Sequence, residues 1–269
     1  DSMSKVAMDD IDKLNARVAE KTANVNGAKA KGVEFEQVRL GAQVYHHRFR
    51  SIVYGLALIS TYFVTVGAPS VAASVASLLL MYFWVDLYGA VLHVVLDNPK
   101  FITLPGIDAG CLEFQWHHHI PSDITRKEFV EVCGDLNGVA AFHVVFIFGV
   151  LKYLLRWDFD TNLAMTLMGA KALLAYFGQY SHRMAHTPES LRPSIVRQLQ
   201  AAHIMLPATI HKKHHDTYDG SFPILSGHTN GLISALLDKV PNDYAWLGTF
   251  VVMTLFDVVL FTKLLAPIV

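Results

Sequence analysis

The sequence predicts an all-α integral membrane protein, and three observations carry that prediction. Five long apolar segments follow one another, the charged fraction is low, and the histidines gather beside the ends of those segments. Of 269 residues, 52% are hydrophobic and 17% charged, against about 25% charged in an average soluble protein. The formal net charge of −1 gives no reason to expect a nucleic-acid partner. The two cysteines, Cys111 and Cys133, are too few for a disulfide framework or a thiolate metal site.

Residues 1–50 are polar and charged and read as an N-terminal extension, with a helix around Ile11–Thr22 and no secretory signal pattern. Residues 51–269 form the membrane domain. Its apolar segments are Ser51–Gly67, Val71–Leu96 with one acid at Asp86, Gly138–Leu155, Asn162–Tyr180, and Tyr244–Val269 interrupted by Asp257 and Lys263. A membrane-crossing helix needs about 20 apolar residues. Four to five transmembrane helices are therefore expected.

Charge orients them. If each segment crosses in turn, 1–50, 97–137 and 183–243 share one side of the bilayer and hold 18 of the 22 Lys and Arg residues. The positive-inside rule makes that side cytosolic, or its organellar equivalent. The same side receives His93 and Asp97, then Trp116-His117-His118-His119, His182 and His186, His203, and His211, His214 and His215. Hydropathy and charge drew the topology, so the convergence of histidines is an independent result.

The spacings suit metal binding. His93/Asp97 and His182/His186 are i,i+4 pairs that share a helix face, and His211, His214 and His215 are spaced i, i+3, i+4. Neutral imidazole ligates iron, zinc and copper. Nine histidines and a carboxylate exceed the roughly four ligands of one zinc-like site, so two metals share them more comfortably. Isolated histidines within spans, as in pigment or haem sites, are a poorer match to clusters at span ends. His143 is such an isolated intramembrane histidine and reads as structural. His46, His47 and His228 read as surface or interfacial, and His119 as a bystander. Asp86 and Lys171 are charges within spans, a class that is functional by default. Two irons with O2 would suit attack on an unactivated aliphatic C–H bond, with the protein supplying geometry and a dry site.

Several motifs in order resemble the lipid desaturase family that contains plasmanylethanolamine desaturase and the plastid phosphatidylglycerol palmitate desaturase. They are His93-Val-Val-Leu-Asp97-Asn98, Phe114-Gln115-Trp116-His117-His118, Ile124-Thr125-Arg126, His182-Arg-Met-Ala-His186, Leu199-Gln200-Ala-Ala-His203-Ile-Met-Leu-Pro207, His211-Lys-Lys-His214-His215, and Gly227 to Asn230. They cover roughly 86–240, and Phe-Gln-Trp-His-His and Asp97-Asn98 resemble the plastid branch more closely. The resemblance implies two iron ions, O2 as co-substrate, and an external electron donor, ferredoxin in a plastid or cytochrome b5 in the endoplasmic reticulum. It implies a membrane glycerolipid substrate of phosphatidylglycerol type and a thylakoid or envelope location, with the endoplasmic reticulum as the alternative; the charge-derived topology puts the histidine-rich cap on the cytosolic or stromal side. Carried over by motif, the metal ligands are His93, His117, His118, His182, His186, His203, His211, His214 and His215. Asp97 is then a ligand or the partner that fixes an imidazole tautomer, and Asn230 a weak or water-mediated ligand. Two further readings stand beside this one. A hydroxylase of a lipid, sterol or pigment would share the ligands. A structural subunit of a larger, photosynthetic membrane complex would account for the N-terminal arm and the apolar C-terminal segment, which lie outside the resemblance.

Overall fold

The computed structural model describes residues 50–269 apart from 127, 135, 218 and 219. Residues 1–49 of the expected extension, His46 and His47 among them, lie outside the described residues. Every regular element among the described residues is helical. In chain order these are α1 (Arg50–Thr65), α2 (Val71–Leu96), α3 (Asp108–His119), α4 (Asp123–Arg126), α5 (Phe129–Val132), α6 (Leu136–Val144, continuing as a π-helix over Val145–Leu154), α7 (Thr161–His186), α8 (Ser194–Ala201), α9 (Ala208–Thr217), α10 (Asn230–Lys239) and α11 (Asp243–Leu265). Leu96–Asp123 forms one compact unit, and the rest of the described chain forms a second.

Three helices are long and apolar enough to cross a membrane: α2, the α6–π run Leu136–Leu154, and α11. Large apolar side chains on their outer faces, such as Leu79, Val145, Val252 and Leu260, are exposed, as a lipid-facing surface requires. The other two expected spans fall short for different reasons. α1 starts at the first described residue, and the 16 residues described are fewer than the roughly 20 that a crossing takes. The 26 residues of α7 are long enough, but Lys171, Gln179 and Ser181 dilute its apolar character.

In the larger unit, α7 is the central helix. Asp160 caps its start, its carboxylate accepting the Leu163 N–H at 2.9 Å. Thr187, in extended backbone before Pro188, ends it. Its first half packs on α1 at close range. A Cβ at Gly169 would stand 2.8 Å from the Ser60 carbonyl oxygen, so only glycine lets the two backbones meet there. The Thr166 hydroxyl donates to the Phe63 carbonyl at 3.2 Å beside that contact. Leu163, Leu167, Ile147, Met81 and Val258 fill the core around it. At α11, Asn242 caps by accepting the Tyr244 N–H at 2.9 Å.

Candidate metal centre

α7 runs past the expected end of its apolar segment and carries His182 and His186 in its last turns. Just before them, the buried Ser181 hydroxyl accepts the Leu206 N–H at 2.8 Å and donates to the Leu225 carbonyl at 2.8 Å. One side chain thus fixes both flanks of the next histidine helix. Gln200 adds to this by donating to the Leu206 carbonyl at 2.9 Å. Pro207 leads into α9, where His211, His214 and His215 share a face.

The two helices bring four imidazoles together. His211 Nε2 lies 2.9 Å from His182 Nε2, 2.7 Å from His186 Nε2 and 3.0 Å from His215 Nε2. The ligating atoms of all four lie within 4.8 Å of one another. One imidazole nitrogen donates or accepts a single hydrogen bond, so three such contacts on one atom do not make a hydrogen-bond network. Two ligands about 2.1 Å from one cation and at right angles lie about 3.0 Å apart. The observed spacing therefore fits nitrogens converging on a common metal ion, and an all-imidazole set suits iron, zinc or copper.

Electrostatics favour the same use. Burial, then the nearby rings of His186, His93, His215 and His214, hold His182 well below the usual histidine range. Burial, then His182, His186, His215 and His214, do the same to His211. Neutral imidazole is the form that ligates. His93 and His214 flank the four, their ring centroids 5.5 Å apart and that of His93 6.1 Å from His182. Each sets its Nδ1 against a backbone carbonyl, Gly89 O at 3.1 Å for His93 and Gly220 O at 3.1 Å for His214. A carbonyl only accepts, so Nδ1 carries the proton and Nε2 keeps the lone pair for a metal.

The smaller unit has its own grouping. Asp97 Oδ1 and His118 Nε2 are 2.8 Å apart and both side chains are buried. Gln115 holds the Asp97 carbonyl at 2.7 Å. His117 is partly buried one position before His118 on α3. The carboxylate fixes the His118 tautomer and leaves the Nδ1 lone pair available to a metal. Burial, then Asp97 and Asp108, push the Cys111 thiol up to about 12, which keeps it protonated and unfit as a thiolate ligand.

Two sequence-named residues are placed elsewhere. His203 is exposed in a left-handed turn at φ 56°, with its ring centroid 6.4 Å from that of the exposed His228. It is not brought to the four-histidine cluster. Asn230 heads α10 and accepts the Ser221 N–H at 2.7 Å, which makes it a loop brace. The residue whose role the sequence left unassigned is Asp86. Fully buried on α2, it accepts the Ser226 N–H at 2.7 Å and the Gly227 N–H at 3.1 Å on one oxygen. On the other it accepts the Thr229 N–H at 3.0 Å and hydroxyl at 2.8 Å. Asp86 anchors the loop after α9. Its one legible signal was an acid inside an apolar segment.

These features define a helical protein with membrane-length apolar helices and a histidine cluster that could hold a metal ion. The lipid desaturase domain matches residues 82–241, and the chain belongs to that family. It is similar to fatty acid desaturase 4, chloroplastic, of Arabidopsis thaliana, at 29% identity over 56% of this chain and 45% of the relative. Fatty acid desaturase 4-like 1 and 4-like 2, both chloroplastic and from the same plant, match at 24% and 26% identity over 56% of this chain and 49% and 52% of their own lengths. The chain spans about half the length of the curated relatives it matches. No solved structure matches.

Proposed function

We propose that this chain is a di-iron, O2-dependent desaturase that introduces a double bond into an acyl or alkyl chain of a membrane glycerolipid of phosphatidylglycerol type. The observation that carries the reading is the convergence of the His182, His186, His211 and His215 nitrogens. The chloroplastic names of the relatives support a plastid membrane, with ferredoxin as the matching electron donor and cytochrome b5 the alternative in the endoplasmic reticulum.

In this reading the ligands are His93, His117, His118, His182, His186, His211, His214 and His215, with Asp97 setting the His118 tautomer. Two irons bound there supply, with O2 and two electrons, the oxidising power to break an unactivated C–H bond. The chain's own groups do the rest. Buried neutral imidazoles offer lone pairs without first losing a proton, and the carbonyls of Gly89 and Gly220 keep His93 and His214 turned toward the metal. The loop anchored by Asp86 and the Ser181 bridge hold α9 in register with α7. The membrane-length helices α2, the α6–π run and α11 cross the bilayer, and the excess of Lys and Arg on the histidine side puts the histidines on the stromal or cytosolic face.

Metal analysis of the purified full chain should return about two irons per chain, and His211→Ala should lose iron and leave the lipid profile of the host unchanged. Iron near zero in gently purified wild-type protein would overturn the reading. One feature favours a second role as a subunit of a larger membrane complex: α11 lies beyond the family match. Fixed-stoichiometry co-purification with such a complex, without any lipid change on deletion, would select it.

A further inference from the structure

A cavity of about 130 Å³ opens within the larger unit, lined mainly by α1, α6 and α7. Phe63 and Met168 are among its apolar walls, and the polar side chains along it are those of Ser60, Tyr88, His143, Lys171 and Tyr176. A buried lysine in a membrane protein needs an account of where its three N–H groups go. The first goes to Asp257 Oδ2 at 2.6 Å. A second faces the Tyr88 ring, whose centroid is 4.4 Å from Nζ. His143 Nε2 also lies 3.4 Å away, but that nitrogen meets the Thr254 carbonyl. A carbonyl only accepts, so Nε2 carries the proton and has no lone pair for Lys171. One ammonium N–H is left for something in the cavity.

We propose that this cavity takes the carbonyl-bearing end of an apolar molecule, the rest of which lies outside it, and that the neutral carbonyl oxygen accepts from Lys171. The walls are mostly apolar, so a chain fills them better than water, which needs two to four polar partners. The oxygen is neutral because Asp257 already cancels the Lys171 charge, and Asp257 is itself held by Trp84 Nε1 at 2.7 Å. A carboxylate would add an uncompensated charge in a low-dielectric site. An acyl ester and an isoprenoid-type quinone both present this chemistry. The site does not depend on iron, and its occupancy is read without turnover.

The test uses the full chain in nanodiscs and native mass spectrometry with three probes: ethyl palmitate, a decyl-substituted benzoquinone, and hexadecane. At least one carbonyl probe should bind one per chain and about tenfold tighter than hexadecane, the scale of a hydrogen bond to a charged donor. Which carbonyl probe binds separates ester from quinone. Lys171→Met alone would strand the Asp257 charge, so the variant is Lys171→Met with Asp257→Asn, which removes both charges and keeps an acceptor for Trp84. It should lose the preference for carbonyl probes. Ala172→Phe, which fills the cavity from α7, should lose all three. Equal binding of hexadecane and both carbonyl probes, an undiminished preference in the double variant, or unchanged binding in Ala172→Phe overturns the proposal.

Discussion

Asp86→Asn tests whether the loop after α9 is held by one buried carboxylate. The wild-type carboxylate accepts three backbone N–H groups and one hydroxyl. An amide keeps one accepting oxygen. In its better orientation that oxygen serves Ser226 and Gly227, and the NH2 group donates to a rotated Thr229 hydroxyl. The Thr229 N–H is then buried without an acceptor, at about 1–3 kcal/mol. The two retained bonds also lose their ionic assistance, about 1 kcal/mol or less each. The loss is therefore about 1–5 kcal/mol, and Asp86→Ala, which orphans all three backbone N–H groups, should lose more. Denaturant unfolding in a fixed detergent measures this, with limited proteolysis of 220–230 reporting whether the loop itself loosens. A change below about 0.5 kcal/mol for Asp86→Asn, the range of an inconsequential surface substitution, would refute the anchoring role.

Acid should destabilise the chelator-treated protein through the same histidines that would bind metal. His182 and His211 lie below the ordinary value of 6.5 when folded, so the unfolded chain binds more protons between the two values. Their contribution to stability is complete above about pH 6.5 and is lost as the pH falls below it; unfolding stability that is flat or rising between pH 6.5 and 5 would contradict the assignment. Asp97→Ala should lower iron affinity about 10–100-fold by releasing the His118 tautomer, read by chelator competition, with no change there if Asp97 is only structural.

The helices were legible because apolar length and helical spacing are local properties. The five apolar segments reappear as α1, α2, the α6–π run, α7 and α11, and the His182/His186 and HxxHH spacings do place nitrogens on facing surfaces. The family match over 82–241 also sits close to the roughly 86–240 marked by the motifs. What could not be read was long-range pairing. Asp86 and the loop it anchors are 140 to 143 positions apart, and Lys171 and Asp257 are 86 apart. Each appeared in the sequence only as a charge out of place. His203 shows the opposite failure. Its motif neighbours suggested a ligand, but the left-handed turn at φ 56° leaves its ring exposed beside His228, a conformation that no local pattern announced. Asn230 likewise carries a local brace to Ser221 that spacing could not separate from ligation.

The design of α7 explains how His182 and His186 are aimed at His211. Each residue turns the helix by about 100°, so Lys171, Ala175, Gly178, His182 and His186 fall along one stripe, while Thr166 and Gly169 lie on roughly the opposite side. The Gly169 side is committed to α1 by a backbone approach that admits no Cβ. That commitment fixes the rotation of α7 about its own axis, and with it the direction of the other stripe. Gly178 on that stripe faces Leu225, where an added Cβ would stand in ordinary van der Waals contact at 3.7 Å, and Ser181 ties the same segment down. A helix rotated by even one residue would turn His182 and His186 away from His211, so the packing at Gly169 and the geometry at the histidines are one constraint written at two ends of a rigid rod.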